Sequence, residues 1–162
     1  MSSLDRGSFD FGLAAECVTK SLQRLKHGEA EPSDFWQALE DAYPPGFFET
    51  CVEVKAGNSQ DFDPLIEFLE ADPYFFRSGY VKGEVVHILK QRSADLSNQQ
   101  RARLEVVVIN AIQRPAKREF PGYARLGPKL NSPEFRAKIE SLLTHDKEFV
   151  RKQASQIHRL LG

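Results

Sequence analysis

Two cysteines in 162 residues, Cys17 and Cys51, both lie inside apolar periodic stretches rather than in a close-spaced pair. That leaves no disulfide framework and no zinc site to expect, and it predicts two buried free thiols. Long apolar runs are lacking as well. The longest, Val106-Val107-Val108-Ile109, falls far short of the roughly 20 residues of a membrane span. Met1 to Asp10 carries Asp5, Arg6 and Asp10 and no apolar run, so no secretory leader is expected. The expectation is a cytoplasmic protein with no membrane partner. Glycine-rich phosphate loops, the metalloprotease His-Glu pattern and a nucleophile elbow are missing too. No catalytic residue, cofactor or metal is therefore assigned, and the reading leans away from an enzyme. Net charge is small, with 22 Lys and Arg against 23 Asp and Glu for a formal −1.

What is present describes one ordinary domain over residues 1–162. At this length a chain buries roughly 70% of the surface it exposes when unfolded, enough for a core without staples. Hydrophobic residues at 41% and charged residues at 28% exclude collagen-like and wholly disordered chains. Helix punctuation recurs along it. Asp63-Pro64, Asp72-Pro73 and Ser132-Pro133 each place a capping side chain before a proline suited to a first helical turn. Ser97-Asn98-Gln99-Gln100 has the reciprocal capping-box pattern, and the apolar stretch behind it stops at Pro115. Its β-branched centre also fits a short strand, but no hairpin turn or alternating partner lies beside it.

The pattern predicts helices near 9–27, 33–43, 46–56, 60–71, 73–91, 97–114, 117–126, 132–144 and 146–161, with no strand. Gly28, Gly46, Gly57 and Gly162 fall at or just past helix ends. The stretch from Glu119 to Pro133 contains Pro121, Gly122, Gly127 and Pro128, so any helix there is expected to be short and interrupted. Short connectors imply antiparallel hairpins, each burying one stripe.

The last thirty residues are the most patterned. Phe135, Ile139, Leu142 and Leu143 fall at helical spacing, His145-Asp146 interrupts, and Phe149, Val150, Ala154, Ile157, Leu160 and Leu161 resume it. Asp146 is expected to cap the second helix, Val150 to face inward, Arg151 to lie on the outer edge, and Ala154 to permit close helix approach. The set Asp146, Val150, Arg151, Ala154, Leu160 and Leu161 resembles the second helix of a HEAT repeat. A fainter copy begins at Asp72, with Phe76 and Arg77 at the same offsets and then Tyr80 and Val86, 74 residues earlier or two units of 37. Gly83 stands where the later copy has Ile157. The resemblance to HEAT-like or armadillo-like repeats is good over 132–161 and weaker over 72–91. It implies an all-α fold of antiparallel hairpins stacked as a short α-α superhelix of about nine helices. An irregular helical bundle is the alternative. HEAT-like proteins mostly act as interaction scaffolds, and one bacterial branch consists of DNA glycosylases for alkylated bases; fold alone does not choose between them.

The small net charge hides a division. Residues 1–76 hold 5 Lys and Arg against 15 Asp and Glu, a net of −10, and residues 77–162 hold 17 against 8, a net of +9. Of the 17 aromatic residues, 13 lie at or before Tyr80. The basic half can attract phosphate backbones or acidic proteins. Its densest cluster is Arg114, Lys117 and Arg118, followed by Arg125 and Lys129, with Phe120 and Tyr123 interleaved. Arg114, Lys117, Arg118, Tyr123, Arg125 and Lys129 are accordingly the candidate partner or nucleic-acid site, where an aromatic beside arginines suits an unpaired base or a protein surface. Alternatively Phe120 and Tyr123 plug the core and the cations are simply solvated. Asp61, Asp63, Glu67 and Glu70 gather round one helix start, where the macrodipole suffices to explain them.

Little else bears chemistry. Glu84-Val85-Val86-His87 has the Glu-x-x-His spacing of di-metal bundles, but no second copy accompanies it. His27, His145 and His158 are read as structural. Trp36 with Asp34, or Tyr123 with Glu119, supply the aromatic and carboxylate of a glycosylase site without its motif. The leading expectation is a non-enzymatic interaction domain that binds a protein or peptide partner along a groove. Nucleic-acid binding through the basic half is the alternative, and a glycosylase-like activity a remote third. Head-to-tail self-association of acidic on basic halves is also open.

Overall fold

The structure, a computed structural model, describes residues 9–162, so most of the opening stretch read for a leader lies outside the described residues. They form nine α-helices and no strand: α1 (Phe11–Lys26), α2 (Pro32–Glu40), α3 (Phe47–Ala56), α4 (Asp63–Ala71), α5 (Ser78–Gln91), α6 (Asn98–Ile112), α7 (Phe120–Leu130), α8 (Pro133–Leu142) and α9 (Glu148–Leu161), with a 3₁₀ turn at Ser93–Asp95. Among the described residues no helix is long and apolar enough to cross a membrane.

Local signals start several of these helices. The Ser97 hydroxyl accepts the Gln100 amide at 3.1 Å while the Gln100 side chain accepts the Ser97 amide at 2.9 Å, closing the capping box of α6. Ser132 accepts the Phe135 amide at 3.1 Å ahead of Pro133. Two other Asp-Pro readings fail. Asp63 already lies in the first turn of α4 behind Phe62, which offers no side-chain cap. Asp72 ends α4 in the left-handed region at φ 46°, and α5 begins only at Ser78, after Arg77 at φ 61°. Left-handed Asp72 turns the chain out of α4, and Pro73, with no amide hydrogen to donate, cannot continue the helix.

Three hairpins stack. Helices α4, α6 and α8 follow one another in one layer and α3, α5, α7 and α9 in the other, while α4/α5, α6/α7 and α8/α9 join the layers; α1 packs on α2 and α4. The first helices of these hairpins begin at Asp63, Asn98 and Pro133, 35 residues apart. The starts of α5 and α9 lie 70 residues apart, so Phe76 and Arg77 precede α5 whereas Val150 and Arg151 sit inside α9.

The core changes along the stack. Near α2 to α4 it is aromatic, with Tyr43 5.5 Å from Phe47, 5.6 Å from Phe68 and 5.4 Å from Phe75 between ring centroids. Farther on it is aliphatic, built on buried Leu104, Val108, Ile112, Leu126, Ile139 and Ile157. Val150 and Ala154 are buried as the helical stripe requires.

Some expectations are overturned. The stretch expected to be interrupted is instead the continuous α7 of 11 residues, with Phe120 and Tyr123 in the core. Pro121 falls in the first turn, where its missing donor costs nothing, and Pro128 lies in the last. Gly127 permits close packing, since a Cβ there would lie 3.1 Å from Ile157 Cγ2. Tertiary contact on both sides thus overrides weak helix propensity. Asp146 does not cap α9: the N-cap is Lys147, with no side-chain cap bond, and the Asp146 carbonyl accepts from Arg151 at 2.9 Å. Cys51 is buried, but Cys17 is exposed on α1, because that helix turns only part of its circumference to the stack.

Candidate functional site

Residues Gly83, His87 and Lys90 of α5, and Gly122, Arg125 and Lys129 of α7, recur at three- and four-residue intervals, so each set forms one helix face. The two faces adjoin because α5 packs on α7. Gly122 allows the approach: a Cβ there would sit 3.3 Å from Val86 Cγ1. The result is a groove with two adjoining depressions. The narrower bay, about 260 Å³, is lined by Gly83, His87, Lys90, Arg118, Gly122 and Arg125 among others. The wider one, about 610 Å³, continues past Lys90 and Arg125 to Pro128, Lys129 and Leu160.

The groove is electropositive and unneutralised. Lys90, Arg118, Arg125 and Lys129 make no side-chain ion pair among the described residues. The one carboxylate at the bay, Glu119, is 7% exposed and lies 3.9 Å from the Lys82 ammonium. Arg118 stacks its guanidinium 3.7 Å from the centre of the Tyr80 ring, and the Lys117 ammonium lies 4.4 Å from that of Tyr74. Both tyrosines are exposed, so these cations are held in place at the surface by ring quadrupoles.

Beneath this surface lies a buried charge network. Lys82 of α5 is fully buried, with its ammonium 2.8 Å from Asp72 Oδ1, and the Arg114 guanidinium engages the other Asp72 oxygen. Burial pulls the Lys82 amine down to about 8, opposed by Glu119 and reinforced by Lys117. The network ties the α4–α5 connector, α5, the end of α6 and the start of α7 together. Beside it, the Gln153 amide of α9 donates at 2.7 Å to the carbonyls of both Ile112 and Arg114, satisfying the end of α6.

The six residues singled out from sequence therefore divide. Arg118, Arg125 and Lys129 line the groove and Lys117 lies on the adjoining surface. Arg114, just past α6, is committed to Asp72 and to the end of that helix, donating to the Asn110 carbonyl at 3.1 Å. Tyr123 is 1% exposed, so its ring is core and offers no face to a ligand. Sequence reasoning missed Lys90, weighed His87 only in a Glu-x-x-His spacing, and took Tyr80 only as a position in the fainter repeat copy. Their helical spacing from Gly83 was visible, but nothing local told which face of α5 would meet α7.

Other candidates have structural work. Glu84 pairs with Lys55 at 2.8 Å, and among the described residues no group of three or more His, Cys, Asp or Glu could hold a metal ion. Asp34 accepts the Glu31 amide at 3.1 Å to begin α2, although its neighbour Trp36 is half exposed. Asp63 and Glu70 both meet Arg103 of α6, so cross-helix pairing adds to the macrodipole there. Compared with known proteins, the chain matches no protein-family model, no curated protein and no solved structure.

Proposed function

We propose that the chain is a HEAT-like helical-repeat interaction domain whose α5–α7 groove holds an acidic segment of a protein partner. The observation that carries this is the convergence of Lys90, Arg118, Arg125 and Lys129 on one groove without side-chain ion pairs of their own. Unpaired surface cations repel one another, and an acidic strand laid along them relieves that repulsion and steers its own approach. The groove is built from two helices that pack directly on each other, so its shape exists before a partner arrives.

A fluorescent polyglutamate peptide titrated at two salt concentrations tests this. Saturable binding at low salt, weakened at high salt and by Arg125→Ala with Lys129→Ala, is expected. No binding at low salt refutes it. Nucleic acid is the second reading, favoured by exposed Tyr74 and Tyr80 beside Lys117 and Arg118. The acidic segment is preferred because the groove itself is lined by Lys90, Arg125 and Lys129 with no Phe, Tyr or Trp among its lining residues, a surface that suits carboxylates more than stacked bases. A single-stranded oligonucleotide that saturates where polyglutamate does not decides for nucleic acid.

A further inference from the structure

The geometry points to the narrower bay as a phosphomonoester pocket, so that the acidic partner segment carries a phosphorylated serine or threonine there; this rests on the acidic-segment reading. Two guanidinium groups, Arg118 and Arg125, and the Lys90 ammonium line one bay of about 260 Å³, with the His87 ring at its edge. None of the four side chains has a hydrogen bond to another protein group among the described residues. Donors are thus in excess. A carboxylate brings one charge and two oxygens, too little for two planar forks and an ammonium together. A phosphomonoester brings about −1.5 to −2 charge and three strong acceptor oxygens, which matches that donor set.

Three further features suit the same group. The stack on Tyr80, 3.7 Å away, holds the face of Arg118 and leaves its N–H edge for a ligand, so the fork is positioned in advance. Glycines from both helices help line the bay, and a side chain at Gly83 would enter open space. Pro121 and Gly122 bring the first turn of the 11-residue α7 to the bay, adding the positive end of its dipole. Glu119, the carboxylate at the bay, is turned to buried Lys82 and hardly reaches the surface.

The test uses the full chain and three versions of one glutamate-rich peptide, with a central phosphoserine, serine or glutamate. The phosphoserine peptide is expected to bind about tenfold or more tightly than the glutamate one, as charge-assisted bonds to a dianion allow. Arg118→Gln or Arg125→Gln should abolish that preference, and Arg159→Gln on α9 should leave it. Phenyl phosphate, followed by the amide resonances of Gly83 and Gly122 at matched ionic strength, gives a second readout independent of peptide sequence. Saturable shifts there that benzoate does not reproduce support the pocket. Equal affinity for the phosphoserine and glutamate peptides overturns the pocket while leaving the acidic-segment reading standing. Failure of all three peptides at low salt overturns both.

Discussion

Raising the pH from 7 to 9 should stabilise this protein through Lys82. Its amine, 10.5 in an ordinary lysine, sits at about 8 in the fold because burial disfavours the charge. Between pH 7 and 9 the unfolded chain keeps this proton while the folded chain releases it. The unfolded state therefore binds more protons, and stability rises with pH. Integrated over that interval the gain is on the order of 1 kcal/mol. At pH 7 and below, holding the ammonium inside costs about 3 kcal/mol relative to a neutral amine. Cys51 acts in the opposite sense, since burial, with help from Glu84, pushes its thiol from 9 up to about 11. The folded state then keeps a proton that the unfolded state loses, and stability falls as pH rises through that range. Buried Tyr43 and Tyr123, also raised, add the same sign at higher pH. Subtracting the profile of Lys82→Met removes these shared contributions. Arg114 still pairs Asp72 in that variant. Urea unfolding followed by circular dichroism at pH 7, 8 and 9 measures both proteins. A wild-type-minus-variant difference that stays flat or falls would mean that Asp72 and Glu119 outweigh burial, and the reasoning would be wrong.

Three other outcomes check the architecture. Ala154→Phe should cost roughly 1–3 kcal/mol by overpacking a fully buried position between α9 and its neighbours, while Arg125→Ala in the exposed groove should leave the melting temperature nearly unchanged. Ser97→Ala should lose about 1 kcal/mol in urea unfolding, because it opens the capping box of α6. A colorimetric thiol reagent should titrate one cysteine, exposed Cys17, in the native protein and both only in denaturant; rapid native reaction of buried Cys51 would contradict its placement.

Much of the fold was legible because its determinants are neighbours in the chain. Ser97 and Gln100 close a cap across three residues, and Val150, Ala154 and Ile157 mark one face at helical spacing. Elements with conflicting local signals were misread. Pro121, Gly127 and Pro128 argue against helix by propensity, yet Gly127 is wanted for its contact with Ile157, 30 residues away. Asp72 looked like a cap and is instead the partner of Lys82 and Arg114, which no local pattern could announce.

The division of charge, −10 in residues 1–76 and +9 in residues 77–162, belongs to the sequence by itself, as do the all-helical class and most helix positions. Amphipathic period and capping act over a few residues and need no knowledge of the rest of the chain. Which cations converge was decided only by tertiary structure. Lys90 comes from α5 and Arg125 from α7, and they share a groove because α5 and α7 stack in one layer with Gly122 against Val86. The same packing sent Tyr123 into the core, tied Arg114 to Asp72 and left Arg118 on the exposed Tyr80 ring. Burial and pairing depend on what lies across the helix, and that is written in residues tens of positions away.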